Sequence, residues 1–307
     1  YTLAPRSTNV SEKSAPSPAL APVTTTIFCC RSIVILFGLV QSSMPPRSRG
    51  SRIVDNAVLL GEFIRMEHPE QEMERLLESG GVRFEGYSCQ GHHLSPAQVI
   101  EVLSSHLEER RRERIDEVLA GRTYHIAPVV EGLVNTGNVS AVMRTSEGLG
   151  LQPFHIIKGT VKFKHSVRTT QGTHKWLDVS VWDTARECTS ALREKGYQIV
   201  VTHLDSKAIP ISEVDFTKPT ALVFGNEAKG VSEAMIKEAD QTCLLPMPGF
   251  AQSYNISVAA AMALFEARRA HPGGDLSKED RQRLRADFYM RSTRHAEDYL
   301  KRHLGLK

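Results

Sequence analysis

Cysteine is scarce in this 307-residue chain: Cys29, Cys30, Cys89, Cys188 and Cys243 are the only five, and no two form a CxxC pair. That is too few, too irregularly placed, for a disulfide scaffold, and fits a few buried or idle thiols in a reducing compartment. His92-His93 is the nearest approach to a His-rich metal pattern, so no metal site is expected. Long apolar runs are missing as well. The longest candidate, 33–40, falls well short of the roughly 18 residues a membrane-spanning helix needs. Nor does one sign of charge dominate, since the formal net charge is +3 with 24% of residues charged. That balance excludes an acidic tail and a histone-like polycation. The glycine fingerprints GxGxxG and GxxxxGK[ST] are absent, because Gly225 and Gly230 are followed by Val231-Ser232. A Rossmann dehydrogenase or a P-loop enzyme is therefore disfavoured. What is present is length enough for one substantial core with appendages.

Acids are nearly missing from residues 1–54, where Arg6, Lys13, Arg31, Arg47, Arg49 and Arg52 face only Glu12. The segment is rich in Ser, Pro, Ala and Thr and cannot bury enough apolar surface to offset its ordering entropy. It is expected to be a disordered leader, transit-peptide-like in composition. Its Ser/Pro/Thr bias favours the chloroplast over the mitochondrion. A linker ahead of a start at Met44, in a cytoplasmic protein, is the alternative.

Residues 55–122 carry helical spacing and form an expected amino-terminal extension. Val58, Leu59, Phe63, Met66, Leu76 and Leu77 mark a first stretch, and Gly80-Gly81 a break. Ser95-Pro96 then opens a helix whose face carries Val99, Val102, Leu103 and Leu107. The run 108–117 mixes Arg110, Arg111, Arg112 and Arg114 with five acids. It suits a solvated, ion-paired helix or a face touching RNA phosphate.

From 123 to 270 short apolar runs alternate with helix-length segments. Strands are expected at 126–130, 154–157, 198–202, 220–224 and 241–245, and helices at 139–149, 181–195, 232–238 and 257–269. This rhythm predicts an α/β domain with a parallel sheet covered on both faces. Residues 271–307 open with Gly273-Gly274 and the cap Ser277, and hold nine basic against six acidic residues. They are expected to be a helical tail outside the domain core.

Ligands of open α/β sheets bind beyond the carboxyl ends of the strands. Three segments there are unusually polar. The first runs Asn135-Thr136-Gly137-Asn138 to Arg144, with Asn138 as a helix cap and Arg144 on an otherwise apolar helix, suited to a phosphate or carboxylate partner or to an ordinary ion pair. The second, Phe224-Gly225-Asn226-Glu227-Ala228-Lys229-Gly230, permits a tight turn and close backbone approach. The third runs from Leu244-Leu245-Pro246-Met247 to Ser253-Tyr254-Asn255-Ile256-Ser257, stiffened by prolines and crowded with polar groups at a helix entrance. Separately, no acid lies between Glu147 and Asp178, where Lys158, Lys162, Lys164, Arg168, His174 and Lys175 form a local basic stripe suited to RNA phosphate or to a solvated loop.

These three motifs, in this order and spacing, resemble the SpoU branch of the SPOUT RNA 2′-O-ribose methyltransferases over about residues 115–269. His174-Lys175-Trp176 and the Arg-rich entry helix resemble the TrmH-type transfer-RNA enzymes in particular. The resemblance implies an α/β SPOUT-type knotted parallel-sheet domain, a deep trefoil knot, with helical amino- and carboxyl-terminal extensions. It implies S-adenosyl-L-methionine as cofactor, a homodimer with the active site completed across the interface, and a D-loop guanosine of transfer RNA as target. Ribosomal RNA is the alternative substrate, and a non-catalytic RNA-binding scaffold the distant one. By match, Arg144, Asn138, Glu227, Ser253 and Asn255 carry catalysis. Thr202, Gly225, Asn226, Gly230, Leu245, Met247, Ser253 and Tyr254 hold the cofactor, with Tyr254 departing from the usual Leu. The basic stripe, Arg112 and the terminal helices are left to hold RNA.

Overall fold

The computed structural model describes residues 83–132, 136–158, 172–226, 229–251 and 253–306. The leader, the helical pattern of 55–77, and Lys162, Lys164, Arg168 and Glu227 lie outside the described residues.

Strand alternation builds the larger core. In β3 (Ile126–Glu131) the side chains of Ile126 and Val130 pack to one face of the sheet and those of Ala127 and Val129 to the other. Both faces are dry, as the near-continuous apolar run requires of a central parallel strand. β3 is flanked by β4 (Pro153–Ile157) and then β5 (Asp178–Trp182) on one side. On its other side come β8 (Thr220–Phe224), β6 (Gln198–Thr202), β9 (Gln241–Leu244) and the short β7 (Ile209–Pro210). All pairings are parallel. β8 enters between β3 and β6, and β9 between β6 and β7, so the later strands fill places between strands laid down earlier.

Helices cover both faces. α3 (Thr136–Gly148) and α6 (Ile256–Ala270) pack on the face of Ile126 and Val130. α4 (Ala185–Glu194) and α5 (Glu233–Glu238) pack on the other. The single helix expected over 181–195 is instead a strand followed by a helix. Val179 and Val181 alternate inward as β5, and Thr184 caps α4 through a capping box with Glu187. The helical stretch read into 181–183 was the tail of a β-branched strand.

The flanks form a second core. β1 (Tyr87–Cys89) and β2 (His92–Leu94) make a hairpin not foreseen in the helical extension. Its turn places Gln90 and Gly91 at φ 48° and 81°, the paired positive values of a hairpin turn that matches strand twist. Ser95 caps α1 (Pro96–Ser104) ahead of a first-turn proline as expected, and Gln98 completes a capping box. α2 (Glu109–Ala120) buries Ile115 and Leu119, while Arg111 donates to the Ser292 hydroxyl and Asp116 pairs with Arg285. α7 (Lys278–Ser292), capped by Ser277, lies along α1, and α8 (Ala296–His303) joins them. Leu103, Leu119, Leu284, Phe288 and Leu300 meet in one buried cluster. The two extensions, separate in sequence, are one helical module.

Candidate active site at the carboxyl ends of the strands

The register Val130 to Phe224, Val201 to Val223 and Thr202 to Cys243 brings four strands to a common finish. Gly132, Gly225, His203 and Leu245 therefore leave the sheet at one end. The Thr202 hydroxyl donates its proton to the Val223 carbonyl at 2.8 Å and ties β6 to β8, which leaves it only as an acceptor toward a ligand. Gly225 admits no side chain, because a Cβ there would lie 2.3 Å from the Gly230 backbone. The loop closes on itself as Asn226 and Gly230 exchange backbone hydrogen bonds of 2.9 and 2.7 Å, with Gly230 at φ 67°. Asn226 Nδ2 donates to the Gly132 carbonyl at 3.1 Å, and its Oδ1 accepts from the Lys229 amide.

Sequence reasoning missed Glu131. Its carboxylate accepts from the Ser232 amide at 2.8 Å and from the Ser232 hydroxyl at 2.7 Å. The available signal was an acid ending a strand otherwise composed of apolar residues.

The third loop leaves β9 with Leu245 half-buried against the core and Met247 half-buried, while Phe250 is fully exposed. Ser253 is exposed, Tyr254 half-buried, and Asn255 caps α6 by accepting from the Ser257 amide at 2.9 Å. α3 packs along α6. Their amino termini point toward the loop end of the sheet, which favours negative charge there. Arg144 is exposed on α3, opposite the buried Val142, Met143 and Ser146. It lies about 12 Å along the axis from the helix start at 1.5 Å per residue. Asn138 is not the cap of this helix. α3 begins at Thr136, which places Asn138, half-buried, in the first turn.

Two of the residues read as RNA contacts are engaged within the protein. His174 is 0% exposed, in a 3₁₀ turn (Thr173–Trp176) packed against α3. The Arg112 guanidinium donates to the Ser104 carbonyl at 3.1 Å, satisfying the end of α1. Lys175 lies 4.8 Å over the Trp176 ring, and Trp176 meets Phe288 edge-on at 5.1 Å, joining the sheet domain to the helical module. Lys158 is exposed and pairs with exposed Asp183 at 2.9 Å, a contact of the kind that contributes little to stability.

A cleft of about 500 Å³ opens at the opposite, amino end of the sheet, lined by Tyr124, His155, Asp178, Tyr197 and Asp280. Two of its carboxylates are already paired, Asp178 with Arg283 at 2.7 Å and Asp280 with Arg83 at 2.9 Å. Nearby, His125, His271 and Asp275 come close enough to share an ion. Yet the two imidazoles stack at 3.9 Å with planes 6° apart, so their in-plane lone pairs run side by side and do not converge. The candidate site is therefore taken at the carboxyl ends.

A doubly covered parallel sheet whose polar loops gather at one switch point defines the class of α/β proteins that bind a small ligand beyond their strand ends. Within that class, the family model described as SpoU rRNA Methylase family matches residues 126–265. The chain is 38% identical over 183 residues to the tRNA (guanosine(18)-2′-O)-methyltransferase of Thermus thermophilus, covering 60% of this chain and 93% of that enzyme. The enzyme of the same name from Escherichia coli K12 is 32% identical over 181 residues, covering 59% and 74%. The solved structure of the Aquifex aeolicus TrmH/SpoU tRNA modifying enzyme superposes with a TM-score of 0.55 at 34% identity, covering 59% of this chain and 95% of that one. The chain belongs to the SpoU methylase family.

Proposed function

We propose that this protein transfers a methyl group from S-adenosyl-L-methionine to the ribose 2′-oxygen of guanosine 18 in the D-loop of transfer RNA. The observation that carries this reading is the match over 93% of the Thermus enzyme, alongside a family model over residues 126–265 that spans the three polar loops. The strand-end loops suit the donor. Gly225 keeps the loop backbone bare, and half-buried Leu245 and Met247 offer apolar surface for a purine beside backbone polar groups. Tyr254 can stack on that purine. When bound, the donor supplies an electrophilic sulfonium methyl.

The rest falls to the chain. A guanidinium is a poor literal base, so Arg144 serves as a clamp on the target phosphate and a stabiliser of developing negative charge. Asn138, Glu227, Ser253 and Asn255 orient substrate and loop, which is catalysis by positioning. Lys158 and Lys175, with the basic ends of α7 and α8, hold the RNA backbone. The order in which β8 and β9 enter the sheet supports the trefoil knot. The exposed apolar stripe of α6, together with the distance of Arg144 from the start of its helix, supports a homodimer whose partner completes the site.

The test is methyl transfer from labelled S-adenosyl-L-methionine to unmodified transfer RNA and, separately, ribosomal RNA, with the methylated nucleotide mapped. Label on the D-loop guanosine, reduced about 100-fold or more by Arg144→Ala, is expected. Ribosomal RNA, the substrate in the family model's description, becomes the function if it alone is labelled. Absence of label on both leaves a non-catalytic RNA-binding scaffold. We also propose import into the chloroplast, supported by the composition of residues 1–54. A reporter carrying that segment should enter isolated chloroplasts, and its exclusion would return the protein to the cytoplasm or mitochondrion.

A further inference from the structure

Glu131 ends β3, five apolar residues having preceded it, and is only 8% exposed. A carboxylate so placed is costly unless its lone pairs are used. Both oxygens are used on a single residue. Oε2 takes the Ser232 amide and Oε1 the Ser232 hydroxyl, while the same hydroxyl oxygen accepts from the Met235 amide at 3.1 Å to start α5. The next residue, Gly132, accepts from the Asn226 side chain. Two consecutive residues at the end of β3 thus hold both ends of the loop 226–232, and the Asn226–Gly230 backbone pair braces it across the middle.

This anchor sits where β3 and β8 lie side by side. β4 and β5 extend the sheet one way from there, and β6, β9 and β7 the other. A crevice opens beyond the strand ends at such a point, and its shape depends on the loops that border it. We propose that Glu131 is the positioning residue of the methyl-donor loop, fixing residues 225–226 and 229–232 in the shape that presents their backbone to S-adenosyl-L-methionine without itself touching RNA. The proposal rests on the methyltransferase reading above.

The consequence is a selective loss. Glu131→Ala weakens binding of S-adenosyl-L-methionine about tenfold or more, as expected when hydrogen bonds to a charged group are removed. Affinity for transfer RNA stays within about twofold, because the basic residues lie elsewhere. Glu131→Gln keeps one acceptor for the Ser232 amide and recovers part of the loss. Ser232→Ala removes only the hydroxyl and has a smaller effect. Combined with Glu131→Ala it adds less than the product of the two, because the residues act as one unit.

The experiment measures S-adenosyl-L-methionine binding by calorimetry and transfer-RNA binding by filter retention on the full chain and its four variants. Their folding is checked by circular dichroism. Selective loss, partial recovery with Gln and less-than-multiplicative combination support the proposal. Cofactor affinity unchanged in both Glu131 variants overturns it, as does a parallel drop in cofactor and RNA affinity. Should Glu131→Ala fail to fold, the isosteric Gln variant and Ser232→Ala carry the decision. Wild-type protein that neither binds the cofactor nor transfers methyl removes the underlying reading, an outcome distinct from a failure of Glu131 alone.

Discussion

His155 lies on β4 with its ring buried, and its Nδ1 accepts from the Trp182 indole at 3.0 Å. Burial pushes its pKa down from 6.5 to about 3, with Lys195 adding to the push and Asp178 opposing it. Between those values the unfolded chain binds a proton that the folded chain refuses. Its full contribution to stability is therefore present above about pH 6.5 and is lost progressively as the pH falls toward 3. Urea midpoints at pH 7 and pH 5 should show a drop for wild type that shrinks in His155→Gln, which retains an acceptor for Trp182. Equal drops would show that the buried imidazole does not drive the acid sensitivity. Cys188 and Cys243 are likewise driven up to about 12 by burial, which leaves their thiols unreactive near neutral pH. At this scale local chemistry was legible: the caps at Ser95 and Ser277 and the tight turn at Gly225 follow from residue type and neighbour. Arg122 and Arg283 were not. Each looks like a surface cation in sequence, yet each is buried, paired at 2.7 Å with Glu147 and Asp178 respectively, partners 25 and 105 positions away.

α6 shows what an element's two faces do. Ala260, Ala263, Leu264 and Ala267 are buried against the sheet, where small side chains let the helix sit close. On the other side Val258, Met262 and Phe265 are 47%, 42% and 59% exposed, spaced four and three residues apart in a single stripe. A stripe of that kind supports the homodimer proposed above. On that proposal, Phe265→Glu turns the dimer into a monomer in analytical ultracentrifugation, with a far-ultraviolet spectrum like wild type. An unchanged sedimentation coefficient would place the interface elsewhere. The α/β rhythm from 126 to 269 was readable because strands bury both faces and helices bury one. β5 escaped because its valines run on without a glycine or proline toward α4, and only the Thr184–Glu187 cap separates them. The hairpin escaped because its strands are three residues each, too short for alternation to show.

Across the whole molecule, the sheet domain is closed by residues from both flanks. The Arg268 guanidinium donates to the carbonyls of Leu149, Gly121 and Gly273, pinning the end of α6 to the entrances of both flanking segments. Asp275 accepts from the Thr123 hydroxyl at 2.8 Å and from the Tyr124 amide at 3.1 Å. No periodicity in either flank announces this partnership, because each amphipathic helix alone states only that something must cover it.

That arrangement sets a schedule for a chain made from its amino end. Leu103 reaches the growing polypeptide about 180 positions before Leu284, the residue beside which it is buried. At about 5–20 residues per second, α1 and α2 wait roughly 10–35 s with their apolar sides wet. The sheet, whose last covering helix ends at Ala270, can close first, and the helical module is the final part to set. A ribosome stalled with residue 270 clear of its exit tunnel and α7 still inside would therefore hold a sheet covered on both faces but not yet tied by the carboxyl-terminal flank, and an unclaimed pair of helices, a form for chaperones to shelter or proteases to trim.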